Sequence, residues 1–209
     1  MKKTETEKDL GVLIDDKLKF HAHASAAAKK ANQILGLIKK VYTTRDKSTI
    51  CSLYKSMVRP HLEYGNVIWG PHYQNDVRII ESVQRRATKS IPELTFLPYQ
   101  ERLRQLQIPS LQYRRNRGDM IYMYKIINDM FRLDYTKIIT HVFNRSTRGH
   151  TKKLFKKHAV KVARSNSFSQ RTTNTWNNLP ANVVEAPTLN EFKNRLDNHW
   201  QHLMYQIND

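Results

Sequence analysis

Apolar residues return every third or fourth position along most of this chain, the spacing of helices that bury one face. Over residues 21–42 the stripe is Ala24, Ala28, Ala31, Ile34, Leu35, Ile38 and Tyr42, with Lys29, Gln33 and Lys40 opposite and Lys30 and Lys39 at the flanks. The small side chains at its start admit a close neighbour. Asp46 suits the N-cap of a next helix whose stripe is Ile50, Leu53, Tyr54, Met57 and Val58, and Pro60 is expected to kink or end it. Gly65, Gly70 and Pro71 mark a loop around Val67, Ile68 and Trp69. Asp76 is a candidate cap for a third helix with Ile80, Val83 and Ala87 inward. A short helix follows around residues 99–106. Ser110 caps a longer one, running to about Phe131, whose apolar Met120, Ile121, Tyr124 and Ile127 suit a central position.

The pattern changes at both ends. Leu10-Gly11-Val12-Leu13-Ile14, bounded by Asp15-Asp16, reads as one short strand. From Arg145 to Arg164 there are eight Lys or Arg and no Asp or Glu, which predicts a loop or linker. It closes on Val160-Lys161-Val162-Ala163-Arg164, an alternation compatible with a strand. Phe168, Thr172, Trp176 and Leu179 then predict a short helix ending at Pro180. Thr188 and Glu191 form a capping box for a last helix carrying Leu189, Phe192, Leu196, Trp200 and Leu203. The fold class is therefore mainly α: a helical bundle preceded by a short strand and followed by a basic linker and a small C-terminal helical region. The expected divisions are 1–20, 21–144, 145–165 and 166–209.

Charge adds the first functional information. The 209 residues hold 36 Lys and Arg against 18 Asp and Glu, a formal net charge of +18. Such an excess favours a polyanion, nucleic acid before a membrane surface, because each phosphate contact releases condensed counterions. The remaining alternative is a solvated basic surface with no specific partner. No apolar run suits a membrane span or, after Lys2 and Lys3, a secretory signal. The single Cys51 excludes an internal disulfide, and an intracellular setting, cytoplasm or nucleus, is expected.

Three basic groups are candidate nucleic-acid contacts. Arg78, Arg85 and Lys89 share one face of the third helix, although Glu81 is placed to pair with Arg85. Arg114, Arg115 and Arg117 crowd the start of the Ser110 helix, where positive charge opposes the helix dipole. Contact with an anion accounts for that placement, and Asp119 is near enough in sequence to neutralise one of them. In the acid-free run, Lys152, Lys153, Lys156 and Lys157 surround the single aromatic Phe155, which suggests phosphate contacts more than base stacking. A solvated linker is the alternative there. Asp15-Asp16 after a strand has the look of a polymerase metal turn, but two-metal chemistry needs a further carboxylate from another strand, so a simple turn is the better reading. His21 with His23, and His199 with His202, lack the further ligands of a zinc site. Neither a catalytic residue nor a cofactor is assigned.

Several segments, taken in order, carry a family resemblance. Lys8-Asp9-Leu10-Gly11-Val12-Leu13-Ile14-Asp15-Asp16 through Phe20 and His23 resembles the segment just after the catalytic core in Jockey-like non-LTR retrotransposon reverse transcriptases. Leu53 to Gly65 with Trp69, Glu81 to Ala87, Tyr99 to Leu103 and Arg114 to Met120 continue it, and Trp176-Asn177-Asn178-Leu179-Pro180 with Phe192-Lys193 resemble its last landmarks. The resemblance covers nearly the whole chain. It implies a thumb-like helical domain and a post-thumb extension that grip RNA, DNA or their hybrid. It also implies that the catalytic aspartates and their Mg²⁺ belong to a palm preceding Met1. The chain is then not expected to polymerise alone, and a palm-containing polymerase is a possible partner. A free-standing basic helical module that binds RNA or protein is the other reading.

Overall fold

The computed structural model describes residues 5–131, 134, 138–140 and 149–207. It is mainly helical with one short antiparallel hairpin at the N-terminus. The chain divides into two compact units, one of residues 1–115 with 204–209, the other of residues 116–203. This division falls between Arg115 and Asn116, inside a helix, and the last residues return to the first unit. The expected boundaries near 145 and 166 do not coincide with it. Charge and glycine content mark where a chain is polar, whereas compact units are defined by what each apolar face buries.

The first unit opens with β1 (Thr6–Asp9) and β2 (Val12–Asp15), with Thr6 opposite Asp15 and Asp9 opposite Val12. The sequence pattern showed only the second strand. Leu10 and Gly11 are the turn, both at positive φ (43° and 86°), as a two-residue hairpin requires. Asp15 ends β2 by accepting from the backbone N–H groups of Lys17, Lys19 and Phe20, at 2.6–3.1 Å. Burial pushes its carboxyl up, but these hydrogen bonds outweigh that and hold it below the ordinary value. The Asp15 carboxylate is thus used to lead the chain into α1 (His21–Val41).

Ala24, Ala28, Ala31, Leu35 and Ile38 of α1 are buried, and Ala31 has no exposed surface. Tyr42, expected on that stripe, lies past the helix end and is exposed. Asp46 caps α2 (Lys47–Leu53) through the Thr49 N–H at 2.9 Å. Helical structure does not end before Pro60. A π-turn (Tyr54–Val58) carries it into α3 (Arg59–Glu63), with the Arg59 N–H reaching back to the Tyr54 carbonyl. The wider turn accommodates a proline ring that clashes with the carbonyl four residues earlier in a regular α-helix. Ile50, Tyr54, Val58 and Leu62 face the core, and Met57 stays half-exposed.

The expected loop around Trp69 contains a short helix, α4 (Asn66–Trp69), which seats a fully buried indole whose N–H donates to the Tyr64 carbonyl at 2.6 Å. Gly65 enters it at φ 64°, and a Cβ there would meet Val12 at 3.0 Å. In α5 (Gln74–Lys89) the N-cap is Tyr73, so Asp76 does not cap. Its buried carboxylate lies 2.6 Å from His21 Nδ1 instead. A 3₁₀ turn (Pro92–Leu94) and α6 (Tyr99–Leu106) complete this bundle. Cys51 is half-buried and its thiol is pushed up by burial.

Next comes α7 (Leu111–Ile127), which the Ser110 hydroxyl caps by accepting from the Tyr113 N–H at 3.1 Å. The second unit contains the rest of α7 with α8 (Val162–Ser165), α9 (Phe168–Asn177), α10 (Ala181–Val184) and α11 (Leu189–His199). Thr188 caps α11 through the Glu191 N–H at 3.2 Å. Tyr124 stacks on Phe192 at 4.4 Å and donates to the Ala186 carbonyl at 2.7 Å, beside buried Trp176 and Leu196. The expected strand at residues 160–164 is not formed: Val162 opens α8, and both Val160 and Val162 are exposed.

Two buried histidines make stability depend on pH. Burial lowers His23, and burial together with nearby Lys153 and Lys152 lowers His150, offset in part by the Trp176 carbonyl and Glu185. The folded state then binds fewer protons than the unfolded state below the unfolded value of 6.5. Stability is full above that pH and is lost as pH falls through it towards the lower folded values. Urea midpoints are expected to drop between about pH 7 and about pH 5, before the carboxylates titrate. An unchanged midpoint across that interval would contradict this burial.

Candidate nucleic-acid interface

The basic residues fall into two groups once their partners are considered. The three arginines at the start of α7 are largely answered within the chain. Arg114 holds both oxygens of Glu63, with Nη2 donating at 2.8 Å, and that carboxylate raises the guanidinium above its usual value. Arg117 holds both oxygens of Asp197, at 2.5 and 2.7 Å. Arg115 is buried. The anions that explain dipole-opposing charge at this helix start are therefore carboxylates of the protein, at positions remote in sequence. Asp119 has its own two-pronged partner in Arg171 of α9, both bonds at 3.0 Å.

The run at 150–164 also divides. Arg145 and Arg148 lie outside the described residues. His150 and Leu154 are buried, so this stretch is packed where the sequence suggested a linker. Asn177 accepts from the Leu154 N–H at 2.9 Å and donates back to its carbonyl at 2.8 Å, while the Trp176 indole donates to the Lys152 carbonyl at 2.9 Å. Lys152 donates to Asn128 at 2.8 Å and Lys153 to the Asn177 carbonyl. Lys156 and Lys157, by contrast, are exposed, next to half-exposed Phe155 and ahead of exposed Lys161 and Arg164.

On α5, Arg78 and Lys89 are exposed. Arg85 lies over the Tyr99 ring, 4.8 Å from its centre, and Arg102 approaches the same ring at 5.4 Å. Glu81 points inward, where the Tyr99 hydroxyl and the Leu111 N–H donate to it at 2.7 and 3.1 Å.

A cluster in the first unit was not singled out from the sequence. At the paired ends of α1 and α5, Lys39 donates to the Arg86 carbonyl, and Arg45 folds back to the Lys39 carbonyl, both at 3.4 Å. Burial lowers the Lys39 ammonium, and the charges of Arg45 and Arg86 lower it further. None of the three forms an ion pair among the described residues. Basic residues in a last helical turn suit the dipole of each helix. The dipoles do not require three cations to converge, which costs Coulomb energy that a bound polyanion would reverse. The only sequence signal for it was the absence of acids from residues 17–45. Nothing in the linear spacing showed that Arg86 would join Lys39.

Among the described residues no three His, Cys, Asp or Glu side chains gather into a metal site, and no helix is long and apolar enough to cross a membrane. Comparisons with protein-family models, with curated proteins and with solved structures found no match to this chain.

Proposed function

We propose that this chain is a nucleic-acid-binding segment, the counterpart of the thumb and the region after it in a non-LTR retrotransposon reverse transcriptase. It holds RNA, DNA or their hybrid through phosphates with little sequence preference, and it does not polymerise alone. The observation that carries this reading is the cluster of Lys39, Arg45 and Arg86, like charges gathered with no ion pair among the described residues in a chain of net charge +18. The exposed Lys156, Lys157, Lys161 and Arg164 add a second set of cations. Arg114 and Arg117, already matched to carboxylates, take a structural part.

The test is a salt series of fluorescence-anisotropy titrations with labelled RNA, DNA and hybrid of several sequences. With about six phosphates neutralised, log K falls against log salt with a slope of roughly −4 to −5. The Lys39→Ala, Arg45→Ala, Arg86→Ala variant is expected to weaken binding to all sequences alike and flatten that slope by about one to three units. Absence of binding at low salt, or losses confined to one sequence with the slope intact, would defeat the proposal.

A further inference from the structure

The first unit also contains a concavity lined by basic residues, apart from the Lys39 cluster. The hairpin, α1 and α3 border a half-open cavity of about 390 Å³. Its polar wall comes from Lys8 on β1, Lys30 and His23 on α1, and His61 on α3, and among the described residues no acidic side chain lines it. Its other surfaces are the Tyr64 ring, Leu13 and two alanines of α1, whose small side chains leave the space open. The Tyr64 hydroxyl donates to the Leu10 carbonyl at 2.8 Å, which holds the ring at the cavity edge. Gly11 opposite allows this close approach, since a Cβ there would stand 3.2 Å from the ring.

His23 adds a donor of defined type. Its Nδ1 accepts from the Leu13 N–H at 3.2 Å, so the proton of the neutral ring sits on Nε2. That buried N–H has no acceptor among the described residues. The cavity is therefore lined by two lysines and two imidazoles on one side and a flat apolar wall on the other. An inorganic anion uses only the first half of this, and a space of this size is that of a small-molecule site.

We propose that the cavity binds a nucleoside monophosphate, with the phosphate held by Lys8, Lys30 and His61 and the base laid against Tyr64 and Leu13. The same chemistry is carried by a free nucleotide and by the phosphorylated end of a strand. The site does not depend on the Lys39 cluster, and its own variants distinguish the two.

Isothermal titration calorimetry of the whole chain with adenosine monophosphate, adenosine, inorganic phosphate and a trinucleotide with and without a 5′-phosphate tests it. Adenosine monophosphate is expected to bind with a sub-millimolar Kd, about 100 µM, and adenosine and phosphate at least about tenfold more weakly. Lys8→Ala and Lys30→Ala, both at exposed positions and so tolerable for folding, are each expected to weaken it about tenfold. The Lys39→Ala, Arg45→Ala, Arg86→Ala variant is expected to bind it unchanged. Trp69 packs edge-on against His23 at 4.7 Å, so its fluorescence gives a second readout. Tight binding of the 5′-phosphorylated trinucleotide alongside the mononucleotide identifies a strand end as the occupant, and binding of the mononucleotide alone identifies a free nucleotide. The proposal falls if no mononucleotide binds in the millimolar range, if adenosine or phosphate binds equally well, or if Lys8→Ala and Lys30→Ala both leave binding intact.

Discussion

Replacing Glu81 with alanine is expected to destabilise the first unit by about 3 kcal/mol, from two buried donors left unpaired together with a lost side chain. Glu81 is 2% exposed and is the shared acceptor of the Tyr99 hydroxyl and the N–H of Leu111, the first residue of α7. A carboxylate at a helix start also meets the positive end of the dipole. Beside it, the Tyr54 hydroxyl donates to Gln84 at 2.6 Å and Gln84 donates to the Pro109 carbonyl at 3.0 Å. Glu81, Gln84, Tyr54 and Tyr99 are all buried, and burial and the Glu81 charge hold the Tyr99 phenol far above its ordinary value. Glu81→Gln keeps the shape and one acceptor oxygen and is expected to lose roughly half as much. Urea unfolding followed by circular dichroism measures both. A loss for Glu81→Ala under about 1 kcal/mol, the range of surface substitutions, would mean that the carboxylate is not held as described.

In the second unit, Trp176→Ala is expected to cost about 4 kcal/mol. The indole has no exposed surface, meets Phe192 at 6.0 Å and His150 edge-on at 6.1 Å, and donates to the Lys152 carbonyl. Its removal leaves a large void and orphans that carbonyl. Trp176→Phe restores most of the volume without the N–H and is expected to lose about 1–2 kcal/mol. There is also a local effect. Residues 150–154 are held by Trp176 and Asn177, and the exposed basic tract begins just after them. Trypsin cleavage at Lys152 and Lys153 is therefore expected to accelerate in Trp176→Ala more than in Trp176→Phe. Cleavage of Trp176→Ala at the rate of the unaltered chain under native conditions would refute the anchoring role.

Much of the fold was determined by local pattern. The helices α1, α5, α6, α9 and α11 follow from apolar stripes, and the caps Asp46, Ser110 and Thr188 from residue type beside a stripe, because capping and amphipathicity involve residues only a few positions apart. The net charge and the acid-free run are likewise properties of the sequence itself. Local pattern failed where a distant element supplied the cause. Pro60 continues a helix because a π-turn makes room, and β1, with no apolar face of its own, exists only by pairing with β2. Tertiary structure also decided which charges remain available. Glu63 meets Arg114 across 51 residues and Asp197 meets Arg117 across 80, which gives two candidates carboxylate partners, while the packing of α1 on α5 gathers Lys39, Arg45 and Arg86. A sequence counts charges, but whether a cation is neutralised depends on distance in space, because Coulomb energy and hydrogen bonding act over a few ångströms and take no account of separation along the chain.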